Sequence, residues 1–95
     1  MRTVDQDLLD ASEIGGWKKA KEAIENGADV DAKGDGGRTP LYLASSKGHE
    51  AIVSFLFEKG ADMHAKNKCG WTPLHYAGAH GSKKIVSFLL EKGVD

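Results

Sequence analysis

The sequence predicts an all-α repeat fold, in which copies of one helix–turn–helix unit stack side by side. Glycine recurs at a period of 33 residues, at Gly27, Gly60 and Gly93. The tripeptide Thr-Pro-Leu occurs at residues 39–41 and again at residues 72–74, with the same spacing. Apolar residues recur at helical spacing between these markers. A strict period of this size indicates stacked units that bury their faces on one another.

The period divides the chain into three units that together form one domain. We define repeat 1 as residues 1–33, repeat 2 as residues 34–66 and repeat 3 as residues 67–95. A stack of this kind presents a long shaped surface, which suits the binding of another macromolecule better than catalysis.

The elements of one unit can be predicted from repeat 2. Thr39 is a good N-cap, and Pro40 suits the first position of a helix, so a short helix begins there. Gly48 ends it. A second helix is expected from about residue 50 to residue 59, and Gly60 stops it in the left-handed conformation. This second helix is apolar around much of its circumference, so we expect neighbours on more than one side. The glycine-rich connectors between repeats read as extended, hairpin-like loops.

Composition and charge exclude several classes of protein. The net charge is −1, which argues against nucleic-acid or membrane-surface binding through bulk charge. Repeat 1 is acidic, with 5 basic and 8 acidic residues, whereas repeat 3 has 4 basic and 2 acidic residues. Cys69 is the one cysteine, so no internal disulfide forms and a reducing compartment is expected. The absence of a signal-peptide pattern and of a long apolar run makes the cytoplasm the predicted location.

No motif in the chain predicts catalysis, a metal site or a cofactor. The acidic segment at residues 29–35 imitates the start of a calcium loop, but the twelfth position is Pro40 instead of a bidentate acid. The glycines at residues 34–37 indicate a turn, since no Gly-Lys-Ser/Thr follows them. The four histidines lack zinc-ligand spacing, and Cys69 with His75 lacks an orienting third group. We therefore expect a protein that is not an enzyme and holds no cofactor.

The helix–turn–helix–loop unit resembles the ankyrin repeat, because Thr-Pro-Leu-His stands at residues 72–75 and Gly-Ala-Asp at residues 60–62. The resemblance covers nearly the whole chain and is partial in repeat 1. It implies an ankyrin solenoid whose loops and first helices bind a protein partner of unknown identity. It also implies structural roles for His75 and His49, whereas Tyr42 replaces the motif histidine in repeat 2. The contact positions that the resemblance implies are Asp35, Gly36, Arg38, Ser46 and Lys47 in repeat 2, and Lys68, Cys69, Trp71, Ala79 and His80 in repeat 3.

The sequence is compatible with two roles for the Trp71 side chain. Large amphipathic side chains at a projecting position suit binding anchors, and Arg38 occupies the equivalent position. The alternative is that the Trp71 ring packs on the adjacent loop.

The two ends of the stack are expected to differ. Repeat 1 has Asp10, Lys19 and Glu22 where the later repeats have apolar residues, as a capping repeat needs. Repeat 3 has no such replacements, so its second helix reads as an interior layer. We expect this end to be either a segment of a longer or engineered array, or a surface for homodimers. A third hypothesis is a targeting or regulatory arm of a larger protein. The residues predicted for self-association are Ile85, Val86, Phe88, Leu89 and Leu90.

Overall fold

The computed structural model describes residues 2–80 and 82–94, and this part of the chain forms six α-helices and no strand. The helices are α1 (Thr3–Ile14), α2 (Trp17–Glu25), α3 (Pro40–Lys47), α4 (Glu50–Glu58), α5 (Pro73–Ala79) and α6 (Lys83–Glu91). Helices α1, α3 and α5 form one layer, and α2, α4 and α6 form the other. The predicted all-α repeat fold is confirmed. Met1, Gly81 and Asp95 lie outside the described residues, and the outer boundaries of repeats 1 and 3 fall on the first and last of them.

The helices of repeat 2 begin and end within one residue of the predicted positions. The Thr39 side chain caps α3 by accepting a hydrogen bond from the Tyr42 backbone N–H at 3.1 Å. Gly48 ends this helix in the left-handed conformation, with φ at 77°. Helix α4 ends at Glu58, one residue earlier than predicted, and Gly60 has φ at 84°. The positive φ explains the glycine, because a side chain is strained there.

The core lies between the two helix layers and runs along the whole stack. Helix α4 contributes four buried residues, because repeats 1 and 3 cover it from both sides. This confirms the prediction of a middle layer with neighbours on more than one side. The largest fully buried side chains are Tyr76, Leu8, Leu41, Ile52, Leu56, Ile85, Leu89 and Val53.

The loops between repeats are compact turns, and in each a backbone hydrogen bond joins the two ends of the turn. The Gly34 N–H donates to the Arg38 carbonyl at 2.8 Å, and the Asn67 N–H donates to the Trp71 carbonyl at 2.9 Å. The two turns also touch, since the Lys68 N–H donates to the Gly36 carbonyl at 3.3 Å. The tips of neighbouring loops are therefore held together by main-chain atoms.

Histidine and aspartate side chains tie neighbouring repeats together. The His49 Nε2 atom lies 3.0 Å from the Glu13 carbonyl of repeat 1, which confirms a structural role for this ring. Gly15 has φ at 82°, and a Cβ atom built there would lie 2.7 Å from the His49 ring, so both conformation and space require glycine. The Asp31 carboxylate accepts the Asp62 N–H of repeat 2 at 2.9 Å. These contacts fix the spacing of the units.

The outer face of repeat 1 is polar, as a capping repeat requires. Asp10, Lys19 and Glu22 are exposed, whereas their equivalents Leu43, Ile52 and Phe55 in repeat 2 are buried. The neighbouring Trp17 is 44% exposed, and its ring meets the Phe55 ring edge-on at 4.7 Å between centroids. Trp17 therefore packs on repeat 2.

The expectation for repeat 3 needs a correction at two of the five predicted residues. Ile85 and Leu89 of α6 are 1% and 0% exposed, because both side chains point into the core of the stack. Phe88 packs edge-on against Phe57 of repeat 2, at 5.6 Å between ring centroids. The side chains of Ile85 and Leu89 are therefore not available to a second molecule, whereas Phe88 is partly buried in its contact with repeat 2.

The open end of the stack is formed by other side chains. Leu74 and Val86 are partly exposed, although their equivalents Leu41 and Val53 in repeat 2 are 1% exposed. Leu90 is 56% exposed. We define the end face by these side chains and the glycine between them, namely Leu74, Gly78, Val86 and Leu90.

Candidate functional site

One pair of positions on the first helix recurs in each repeat. The members of each pair are four residues apart, so they lie on one side of their helix. The pairs are Leu9 with Glu13 on α1, Tyr42 with Ser46 on α3, and His75 with Ala79 on α5. We call this surface, together with the loop tips beside it, the concave face.

A groove of about 410 Å³ lies at the repeat 1 end of the concave face. Its floor includes Leu9 and Leu43, which are 3% and 8% exposed. The polar residues around it belong to α1 and to the loop that precedes α3. The lining consists of Gln6, Leu9, Asp10, Glu13, Lys33, Gly34, Asp35, Arg38 and Leu43.

An aromatic cluster occupies the concave face in repeats 2 and 3. The Arg38 guanidinium lies over the Tyr42 ring, 5.6 Å from its centroid. The Tyr42 ring contacts the Tyr76 ring, with centroids 3.8 Å apart and planes inclined by 51°. In repeat 3 the Trp71 ring lies 6.0 Å from the His75 ring. Arg38 with Tyr42, and Trp71 with His75, are therefore equivalent pairs in which one large side chain covers another.

The His75 ring ties the start of α5 together, which confirms its predicted structural role. The Thr72 N–H donates to His75 Nδ1 at 3.0 Å, and the Thr72 side chain and the His75 N–H complete a capping box. Because Nδ1 accepts this hydrogen bond, the neutral ring keeps its proton on Nε2. His75 is exposed, so its Nε2–H is a fixed donor on the concave face. Tyr42 cannot accept in this way, and only the Thr39 cap remains in repeat 2.

Burial and hydrogen bonding shift the pKa of three groups in the described residues. The Arg2 guanidinium donates to Asp5 at 3.0 Å, and the Asp29 N–H donates to the same carboxylate at 2.8 Å. The hydrogen bond from Arg2 and then that from Asp29 lower the pKa of Asp5, and the bond to Asp5 raises the pKa of Arg2. Burial, followed by the neighbouring Tyr42, raises the pKa of Tyr76. None of these groups lies in an arrangement suited to proton transfer.

The predicted contact positions are accessible, with one exception. Ser46 is half-buried, and its hydroxyl donates to the Leu43 carbonyl at 3.1 Å. Trp71 is 41% exposed and its nearest aromatic neighbour is His75 of its own repeat. The remaining predicted residues are exposed, and they are Asp35, Gly36, Arg38, Lys47, Lys68, Cys69, Ala79 and His80.

The structure brings part of this set together. The backbone bond between Lys68 and Gly36 places the two loop tips side by side. The Asn67 side chain, which sequence reasoning did not single out, accepts from the Cys69 and Trp71 N–H groups at 2.8 and 3.1 Å. Asn67 thereby fixes the turn that carries Lys68 and Trp71.

Sequence reasoning missed the contribution of repeat 1 to the concave face. Glu13 and Ile14 are the equivalents of Ser46 and Lys47, one period earlier, and Ile14 is 71% exposed. Asp10 lines the groove as well as belonging to the polar cap. Subtracting 33 from the positions chosen in repeat 2 would have identified Glu13 and Ile14.

The described residues contain no group of three or more His, Cys, Asp or Glu side chains placed to hold a metal ion. Over the same part of the chain, every helix is too short or too polar to span a bilayer.

Comparison with known proteins places the chain in a family. A family model of ankyrin repeats matches residues 8–95 in three copies, and the chain belongs to the ankyrin-repeat family. Ankyrin repeats are generally protein–protein interaction modules and are typically not enzymes. No curated protein matches the sequence.

Proposed function

We propose that this chain is a non-enzymatic module that binds a protein partner through the concave face. The observation that supports this most directly is the pair of large projecting side chains at equivalent positions, Arg38 and Trp71. Each lies against a second ring, Tyr42 or His75, which restricts its motion before binding. Exposed aromatic and arginine side chains on a rigid frame are typical binding anchors, because little order must be gained on association.

The helix surface beside these anchors leaves room for a partner. Ser46 and Ala79 are small, and they lie one helical turn beyond Tyr42 and His75. A partner segment can therefore approach the α3 and α5 backbones between the projecting loop residues. We place the protein in the cytoplasm, because the exposed Cys69 thiol suits a reducing compartment.

The test is quantitative affinity capture from host lysate with two matched double variants. Arg38→Ala/Trp71→Ala removes both anchors, whereas Lys18→Ala/Lys21→Ala alters two exposed residues of α2, in the other layer. We expect partners captured by the unaltered chain to be lost from the first variant and kept by the second. Equal capture by both variants, each checked for an unchanged melting temperature, would contradict the proposal.

A second candidate function is self-association through the end face. The end face keeps three apolar side chains partly or largely in solvent, namely Leu74, Val86 and Leu90. The equivalent residues of repeat 2 are covered, since Leu41 and Val53 are buried and Phe57 packs on the Phe88 ring. Covering the end face with a second copy of the chain would therefore stabilise a dimer. Light scattering over a concentration series should show dimers for the unaltered chain and monomers for Leu90→Lys. Ile14→Lys is a matched control, since Ile14 is also exposed but lies on α1 at the other end of the stack. A monomeric unaltered chain at high concentration would rule this candidate out.

A further inference from the structure

A long stretch of the chain, most of it in repeat 3, has basic residues but no acidic ones. Residues 63–90 contain four lysines and three histidines but no aspartate or glutamate. Lys68 lies at the loop tip, in backbone contact with Gly36 of the preceding loop, which also carries Arg38. The two loops therefore present Lys68 and Arg38 on adjoining tips of the same face.

Within the part of the chain that the structure describes, no carboxylate lies within 4 Å of the charged groups of these cations. Among residues 2–80 and 82–94, the one ion pair within 4 Å joins Arg2 and Asp5 in repeat 1. The Arg38 guanidinium lies over the Tyr42 ring instead, which leaves its N–H donors available at the surface. The His75 Nε2–H is a further donor on the same face.

Aromatic surface lies beside the cations. Trp71 is 41% exposed, and Tyr42 is partly exposed beneath Arg38. A ligand that meets this surface gains charge-assisted hydrogen bonds from the cations and apolar contact with the rings.

The groove at the repeat 1 end of the concave face is net acidic, with three carboxylates against two basic groups. Asp10, Glu13 and Asp35 line the groove there, with two basic residues, Lys33 and Arg38. A polyanion that continued along the face would meet these carboxylates and be repelled. A nucleic acid is uniformly anionic and draws its affinity from many phosphate contacts, so this short cationic region suits it poorly. A peptide, in contrast, can carry acidic residues in one short part of its sequence and neutral residues elsewhere.

We propose that repeats 2 and 3 bind an acidic segment of a partner protein, with carboxylates contacting Arg38 and Lys68 and neighbouring side chains lying on Trp71 and Tyr42. The inference rests on the proposed function and adds the chemistry of the partner and its position on the stack. The acidic part of the segment lies over repeats 2 and 3, away from Asp10 and Glu13 of repeat 1.

The experiment is selection of 12-residue peptides from a random display library on the full chain, at about 0.15 M salt, where the screening length is about 8 Å. Selected peptides should be rich in Asp and Glu. Arg38→Glu/Lys68→Glu should weaken their binding about tenfold or more, which two exposed charge contacts account for. Lys18→Glu/Lys21→Glu makes the same change in net charge on α2 and should leave the affinity within about twofold.

Nuclear magnetic resonance locates the bound peptides, because the two tryptophans give separate indole N–H signals. The Trp71 signal should shift on titration with a selected peptide, and the Trp17 signal should not. Selected peptides that are neutral or basic and still shift Trp71 would overturn the acidic preference while leaving the concave face as the binding surface. Peptides that shift neither Trp71 nor other concave-face amides would overturn both proposals. If a 12-nucleotide single-stranded DNA bound more tightly than the peptides and shifted the Trp71 signal, the acidic-peptide proposal would be overturned in favour of a nucleic-acid ligand.

Discussion

Leu89 and Leu90 form a matched pair that tests how α6 is buried. They are neighbours on one helix, yet Leu89 is fully buried and Leu90 is 56% exposed. Replacing a fully buried leucine by alanine costs about 2–5 kcal/mol, because apolar contacts are lost and a cavity remains. Three carbon groups are removed in each case, each worth about 0.8 kcal/mol when buried. With less than half of Leu90 covered, Leu90→Ala should cost about 1 kcal/mol or less.

Urea unfolding followed by tryptophan fluorescence measures the difference. With a slope of about 1.5 kcal/mol per molar urea, Leu89→Ala should lower the midpoint by about 2 M, and Leu90→Ala by well under 1 M. A Trp17→Phe background leaves Trp71 as the reporter, so the signal follows repeat 3. Equal midpoint shifts for the two variants would refute the assignment of Leu89 to the interior and of Leu90 to the end face.

Three further predictions concern single positions. Gly60→Val should cost about 1–3 kcal/mol through backbone strain, since φ is 84° and no neighbour lies within 4 Å of an added Cβ. Ser46→Ala should stay within about 0.5 kcal/mol, and comparable urea midpoints would contradict the left-handed helix stop at Gly60. The pKa of Asp5 is lowered in the folded state, so its stabilisation is present above the unfolded value of 3.8 and is lost as pH falls through the folded value. The midpoint difference between the unaltered chain and Asp5→Asn should therefore be constant at neutral pH and shrink in acid; a difference that did not depend on pH would be evidence against the contact with Arg2. Without reductant, the exposed Cys69 thiol should form an intermolecular disulfide seen on non-reducing gels, and Cys69→Ser should abolish it.

Features set by local chemistry were predictable from the sequence. Thr39, Gly48 and Gly60 act on the few residues around them, so their roles as helix cap and helix stops follow from residue type and position. The family resemblance similarly implied that His75 ties the start of α5, and the structure confirms it.

Features that depend on the register between repeats were not predictable. The sequence showed that α6 is apolar around much of its circumference, but not which side already meets repeat 2. Leu89 and Phe88 were therefore assigned to an open surface, although the stack buries one and packs the other on Phe57. The contact between Tyr42 and Tyr76 was missed for the same reason, since 34 residues separate the two rings along the chain.

One loop position changes its chemistry from repeat to repeat. Asp5, Arg38 and Trp71 occupy the same position in successive repeats, and Asp5 accepts hydrogen bonds from Arg2 and from the Asp29 backbone, whereas Arg38 and Trp71 lie beside the rings of Tyr42 and His75. In repeats 2 and 3 the same position carries a cation and an aromatic ring, each with a large part of its surface in solvent. The fold fixes the position of these side chains, and their chemistry changes from one repeat to the next. If the proposed function is correct, a partner must match the order of the charges along the stack as well as their number.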